Sequence, residues 1–288
     1  MKRTRRDRCP GVLRPWPADD GLLVRLRLIG GRVPSSALRS LADVARAHGD
    51  GRVYVTVRAN LQVRGLRALP GSQLDPAAMA AIEKTGLVPS PRHDLVRNVL
   101  VSPQTGLADT GTGRGGRADL RPVAAELDRL LLASERLSGL PGRFLFVLDD
   151  GRGDILDRDC DLGLVALDPD TVQLRVGRGW GPVVPVREAA GRLTGLAREF
   201  LTARGSGPGA PWHVAELPEP LRPPAEPDPR IPEPGEPLPY GDVPGGRHIP
   251  VPDEGLTPAS VAELTAGVPG VIVTPWKGVL VPDGWENG

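Results

Sequence analysis

A chain of 288 residues is long enough for one large domain or two modest ones, each with its own core. Its 36 basic and 35 acidic side chains leave a formal net charge of +1, so no global field draws it to nucleic acid or an anionic membrane. An aromatic content of 3% provides no stacking platform for single strands, and the two cysteines, Cys9 and Cys160, form neither a CxxC pair nor a disulfide framework.

Leu22, Val24, Leu26 and Leu28 alternate with Leu23, Arg25 and Arg27, the period of a half-buried strand. Ser35 and Ser36 are placed to cap a helix with Leu38, Leu41, Val44 and Ala45 on one stripe. Gly49 closes it, after His48, whose cationic form suits the helix C-terminus. From Val53 the alternation is strict. Val53, Val55, Val57, Ala59, Leu61 and Val63 point one way, and Tyr54, Thr56, Arg58, Asn60, Gln62 and Arg64 the other. Read as one extended run, this predicts a polar, doubly cationic face above an apolar one.

Asp75 and Pro76 open a helix that Gly86 stops. Residues 96–102 read as a strand, and Leu120, Val123, Ala124, Leu127, Leu130, Leu131 and Leu137 as a helical stripe. The apolar run 144–148 suits a strand covered on both faces. Strands are expected at 163–167 and 172–176 and a helix at 186–203, which completes an α/β layer. Residues 205–252 are dense in proline and predict an extended linker, with His213 and His248 inside it. Thr257 and Pro258 then start a short helix. Strands at 271–274 and 279–281 flank Pro275-Trp276-Lys277-Gly278, echoing the opening plan at reduced length.

Arg58, Arg64, Arg97 and Arg143 come from three separate predicted strands or strand edges. A multiply anionic ligand needs such donors, each charge-assisted bond being worth about 1.5–3 kcal/mol; spacing alone equally allows solvated strand-face charges. Gly111-x-Gly113-x-x-Gly116 spells a dinucleotide fingerprint but does not directly follow a strand, which the fingerprint requires. The histidines His48, His93, His213 and His248 share no ligand spacing, so no dedicated metal site is expected. Asp149, Asp150, Asp154, Asp157, Asp159 and Asp161 lack EF-hand spacing and read as a solvated acidic loop. No apolar run approaches the ~20 residues of a membrane helix. Residues 1–8 are basic but lead into proline and tryptophan rather than an apolar signal core, so a cytoplasmic location is expected.

Several strings carry a family resemblance. Cys9-Pro10-Gly11, Asp20-Gly21-Leu22-Leu23-Val24-Arg25 and the T-x-R-x-x-x-Q-x-x-G-L run from Thr56 come first. Arg97-Asn98-Val99-Leu100 with Ser102-Pro103 and Gly106 follows, then Leu140-Pro141-x-Arg143-Phe144 and Thr274-Pro275-Trp276-Lys277. The ordered set resembles the nitrite/sulfite reductase superfamily, and within it the precorrin-3B synthase branch. The resemblance implies an α+β fold in four parts. Residues 1–70 would be a ferredoxin-like half-domain, 71–205 an α/β tetrapyrrole-binding domain, 206–244 a Pro-rich linker, and 245–288 a second, partial half-domain.

It implies an oxidoreductase of cobalamin (corrin) biosynthesis acting on an anionic tetrapyrrole, with Arg58, Gln62, Arg64, Arg97, Asn98 and Arg143 as binding residues. The reductases carry a second lysine where Leu145 stands, which favours the precorrin branch over a sirohaem-dependent nitrite or sulfite reductase. A non-catalytic tetrapyrrole binder is the reading from another class. The family also implies a [4Fe–4S] cluster held by four cysteines, which Cys9 and Cys160 cannot supply. Either a second chain brings the cluster domain or the protein only binds, while nucleic-acid and membrane partners are not expected.

Overall fold

A computed structural model of the chain describes residues 9–107, 115–207 and 209–285. In chain order the opening part holds β1 (Trp16–Ala18), β2 (Gly21–Leu26), β3 (Arg32–Pro34), α1 (Ser35–His48), β4 (Val53–Val55) and β5 (Leu61–Leu66). The small hairpin β6 (Ala68–Leu69) and β7 (Gln73–Leu74) leads to α2 (Pro76–Lys84). The middle carries β8 (Val99–Val101), α3 (Arg121–Leu132), β9 (Phe146–Asp149), β10 (Leu162–Ala166), β11 (Thr171–Val176), β12 (Gly179–Pro185) and α4 (Ala189–Ala203). The last part adds β13 (Gly241–Val243), β14 (Gly246–Pro250), α5 (Pro258–Leu264), β15 (Gly270–Thr274) and β16 (Gly278–Pro282). Contacts divide the chain into two units. An α/β unit is built on Leu95–Pro237, and a repeat unit on the chain before Leu95 together with the chain from Leu238 onward.

The repeat unit contains the same motif twice. Its first sheet has strand order β1-β2-β5-β4, and its second has β13-β14-β16-β15 with β3 added at the edge. Each motif is a hairpin, a helix and a second hairpin, so β1, β2, α1, β4 and β5 correspond to β13, β14, α5, β15 and β16. In the first copy, Val24, Leu26, Val53, Leu61 and Val63 are fully buried, and α1 contributes Leu38, Leu41 and Ala45. Burying one such aliphatic side chain is worth roughly 1.5–3 kcal/mol.

The copies are joined by an exchange of edge strands. The segment before α1 pairs with the second sheet, Val33 opposite Val271. The segment before α5 pairs with the first sheet, where Val53 and Leu256 bond each other in both directions at 2.9 and 2.8 Å. One edge of each sheet, β15 along three residue pairs and β4 at a single bridge, is thereby met by the other copy, which shortens the open template for aggregation there. Gly31 makes one of these approaches possible. It has φ 72°, and a Cβ there would collide with the Val273 carbonyl oxygen and lie 3.3 Å from the Ala59 Cβ.

The run from Val53 to Arg64 is not one strand. β4 and β5 form an antiparallel hairpin with Val53 opposite Val63. Ala59 adopts φ 54°, and Val57, expected inward, is 54% exposed. Val53 and Val63 are an even number of residues apart, so both keep the same face whether the chain continues or turns back. Alternation alone therefore cannot tell the two apart. The cap at Ser35 and Ser36 also differs. Pro34 occupies the N-cap position without a side-chain bond, and Ser35 Oγ donates instead to Val268 O. Asp75 and Thr257 do cap α2 and α5 as expected.

The α/β unit has one sheet, ordered β12-β11-β10-β9-β8, with β8, β9 and β10 parallel and the rest antiparallel. Helices α3 and α4 pack together, and Phe144 touches Phe146 and Phe200 at centroid distances of 5.3 and 5.0 Å. Strand β12 had no sequence signal, because Gly179, Gly181, Pro182 and Pro185 read as breakers; as an edge strand it tolerates them. The proline-rich segment is extended, as its composition predicts, but it is not a free linker. Ala225 N donates to Trp180 O at 2.8 Å. The buried Gln173 amide donates to Glu226 O and accepts from Asp228 N. The segment also ends earlier than its composition suggests, since β13 and β14 lie inside 205–252.

Gly31→Ala is expected to destabilise the protein by at least about 2 kcal/mol, because a methyl group must displace backbone at a positive φ. Urea denaturation checks this; an unchanged midpoint would remove the tight approach at Gly31 from the account.

Candidate functional site

Arg58 sits in the turn between β4 and β5. Thr56 Oγ1 accepts the Asn60 N–H at 3.2 Å, and Thr56 N donates to Asn60 O at 2.9 Å. Ala59, at φ 54°, takes the left-handed conformation that closes this turn at a cost of about 1–2 kcal/mol. Arg58 and the exposed Val57 are thus carried on a rigid tip. Beneath them Asn60 is 1% exposed; its Oδ1 accepts Leu28 N, while its Nδ2 has no hydrogen-bond partner among the described residues. A buried donor left unpaired costs about 1–3 kcal/mol.

Behind the tip runs a polar cross-strand row. Tyr54, Gln62 and Arg25 stand opposite one another on β4, β5 and β2, and Arg25 Nη2 donates to Gln62 Oε1 at 3.3 Å. Burial holds the Arg25 guanidinium below its usual pKa, the Cys9 thiol acts against this, and the nearby Arg58 charge adds to the lowering. Arg64 pairs with Asp20 at 3.3 Å and lies over the Tyr54 ring. The Tyr54 hydroxyl, desolvated and bonded to Asp50, is pushed up to about 12. Arg25 was absent from the expected site. Its place among outward residues of β2 was visible, but its position opposite Gln62 depends on strand register, which the sequence does not print.

Arg97, Asn98 and Arg143 belong to the α/β unit. The Arg97 Nε and Nη2 atoms donate to the two Asp128 oxygens at 2.6 and 2.9 Å, and Arg97 is only 8% exposed. Asn98 is a tie rather than an exposed donor: its Nδ2 reaches Leu95 O and Gly142 O. With Phe146 N donating to Asn98 O, it fixes the Arg97 turn beside the Arg143 loop. Arg143 is exposed and stands 5.6 Å over the Trp212 ring. Leu145 is buried, and its N–H donates to Asp161.

Other expected features change character. The acidic stretch is solvated only in part: Asp157 and Asp159 are exposed as expected, but Asp149, Asp150, Asp154 and Asp161 are buried. Asp149 accepts the N–H groups of Gly151 and Gly153, Asp154 accepts from Ser102 Oγ, and Asp150 pairs with Arg152. Carboxylate atoms of Asp149, Asp150 and Asp154 lie within 4.8 Å of one another. Burial pushes Asp154 well above the usual carboxylate range, with Asp149 and Asp150 adding to it, and burial also raises Asp149.

Of the glycine string, Gly111 and Gly113 lie outside the described residues, as does the basic stretch 1–8; a Cβ at Gly116 would collide with the Asp150 carboxylate, a poor neighbour for a phosphate. His248 is a buried residue of β14, not part of a linker. Its Nδ1 donates to Leu238 O and Pro239 O, and its Nε2 accepts from Thr274 Oγ1. Burial lowers its pKa, consistent with the neutral ring that these bonds select.

The thiols do not fit an iron–sulfur cluster. Cys9 is buried in the repeat unit, whereas Cys160 belongs to the α/β unit, where burial pushes its thiol up to about 11. A cluster needs about four thiolates.

Residues 17–68 match the nitrite/sulfite reductase ferredoxin-like half domain. A precorrin-3B synthase from Sinorhizobium sp is 32% identical over 150 residues, which cover 51% of this chain and 29% of that protein. The chain thus spans less than a third of that relative. The solved structure of the Mycobacterium tuberculosis NirA protein matches with a TM-score of 0.67 at 19% identity, covering 91% of this chain and 54% of that one. That likeness supports the fold: an α+β architecture with a ferredoxin-like half-domain, an α/β domain and a short second half-domain. No described helix is long and apolar enough to cross a membrane.

The buried carboxyl cluster makes a prediction with a definite sign. A carboxyl raised in the folded state contributes stability that is fully present below its unfolded value and is lost as pH rises through the folded one. Asp154→Asn, which keeps the Ser102 bond, should therefore gain in melting temperature relative to wild type as pH rises above about 4. A difference independent of pH would contradict the raised pKa of the buried Asp154.

Proposed function

Since the chain is a precorrin-3B synthase-like member of the nitrite/sulfite reductase superfamily, we propose that it holds an anionic tetrapyrrole for oxidation in corrin biosynthesis. The proposed reaction is the oxygen-dependent oxidation of a precorrin that prepares its ring for contraction. The observation that carries this reading is the Arg58 tip. A guanidinium stands on a strained turn above a buried, unpaired Asn60 donor, beside a second, partly desolvated guanidinium at Arg25. Like charges brought together out of water repel, and an anion bonded to both converts that cost into attraction. Acetate and propionate arms have the required planar, two-oxygen chemistry.

In this reading Arg58 and Arg25 bind carboxylate arms in the repeat unit, with Gln62 and Arg64 keeping the cationic row in place. In the α/β unit the exposed Arg143 is the carboxylate binder. Arg97 orders the same region through its bidentate Asp128 pair. The [4Fe–4S] cluster of the family supplies electron transfer where it is bound. The thiols present do not fit it, and a second polypeptide is the proposed source of its ligands. A sirohaem-dependent reductase has no support from the buried Leu145.

Titration with uroporphyrin, a stable octacarboxylate macrocycle, tests the reading. Wild type should bind with an affinity that falls steeply with salt, and Arg58→Ala should weaken binding by at least about tenfold. Absence of binding, or an unaffected Arg58→Ala variant, would return Arg58 to a solvated surface charge. The purified chain should also hold no stoichiometric iron or sulfide; a brown protein with four irons would overturn the external source of the cluster.

A further inference from the structure

The internal repeat places a second turn at the position equivalent to the Arg58 tip. Strand register fixes the correspondence. Val55 pairs with Leu61 as Val273 pairs with Val279, so Thr56, Arg58, Ala59 and Asn60 correspond to Thr274, Trp276, Lys277 and Gly278. The two turns are built alike. Thr274 Oγ1 accepts Gly278 N at 3.2 Å, as Thr56 Oγ1 accepts Asn60 N, and Lys277 has φ 58° where Ala59 has 54°. Non-glycine residues rarely take this conformation, and only one other described residue of the chain, Ser72, does so.

The tips are also neighbours. Gly31 lies against the Val273 carbonyl at the base of the second turn and against Ala59 of the first. The second tip differs in what it presents. Where the first repeat has Arg58 and Ala59, it has a half-buried Trp276 and an exposed Lys277. Trp276 is seated edge-on against the His248 ring at 6.2 Å, and the Tyr240 hydroxyl donates to its carbonyl. Lys277 Nζ pairs with Asp253, whose side chain is 80% exposed, a surface pair of little intrinsic worth that a ligand carboxylate can replace.

We propose that turn 274–278 is the second jaw of the binding site, with Trp276 packing on the apolar ring of a planar polycarboxylate macrocycle and Lys277 taking one of its carboxylate arms. This rests on the tetrapyrrole reading above and deepens it. The assignment explains why the second repeat keeps a strained lysine where glycine would be the relaxed residue. It also explains why the equivalent of Arg25 on this side is His248, a buried neutral ring that supports Trp276 instead of adding charge.

The test uses the full chain and uroporphyrin, with tryptophan fluorescence and calorimetry as readouts. Lys277→Gly relieves the positive φ, so it should unfold at the same or a higher temperature yet bind about tenfold more weakly. Trp276→Phe should keep the fold and most of the affinity, while Trp276→Ala should lose about tenfold or more and remove a large share of the fluorescence quenching seen on binding. Wild-type affinity in both Lys277→Gly and Trp276→Ala, with Arg58→Ala still weakened, overturns the second jaw and leaves the tetrapyrrole reading standing. No binding by wild type overturns both. Should Trp276→Ala fail to fold, Lys277→Gly and Trp276→Phe decide alone: full affinity and unaltered quenching in both overturn the second jaw.

Discussion

The exchange of edge strands between the two repeats is the constraint on which the repeat unit depends. Val33 pairs with Val271 in one direction, and Leu256 pairs with Val53 in the other. One edge of each sheet is met by the opposite copy, so the opening and closing segments of the chain form one unit. A hydrogen-bonded seam of this kind also sets distance. Gly31, at the mouth of the first crossing, brings Ala59 and Val273 to the limit of contact and so fixes the two strained turns side by side. The cost of two left-handed non-glycine residues, about 1–2 kcal/mol each, is borne where side chains must stand in a fixed geometry.

The distribution of charge follows a related logic. The chain is nearly neutral overall, yet Arg25, Arg58, Arg64 and Lys277 are concentrated around the turns and the row behind them. Arg64 and Lys277 have solvated acidic partners, Asp20 and Asp253, whereas Arg25 donates to an amide, Gln62. In the α/β unit the pattern is reversed. Three carboxyls crowd around one guanidinium, Arg152, and burial raises the Asp154 pKa. That cluster ties Ser102 to the turn after β9 and is a structural lock of the α/β unit.

Much of this was legible in the residues and some was not. Helices α1 to α5 were visible because three-to-four-residue periodicity and caps such as Asp75 and Thr257 are local signals. The doubling of the fold was also visible, as a helix followed by strands around Pro275-Trp276-Lys277. What failed were the non-local facts. The β4–β5 hairpin hid because a turn that preserves parity leaves alternation intact. The proline-rich segment read as free because its partners, Trp180 and Gln173, are distant in sequence. The acidic stretch read as solvated because nothing local announces the backbone donors and the arginine that compensate buried carboxyls. Arg25 and Asn60 were seen as letters in a strand, and only register showed that they surround Arg58.

Hydrogen–deuterium exchange on the full chain, with and without saturating uroporphyrin, tests the central claim most directly, because it reports on both turns at once without altering either. The account predicts slowed exchange at 56–61 and at 274–279, with α5 and β14 unchanged. Protection elsewhere in the chain, with both turns exchanging as fast as in the free protein, would contradict it.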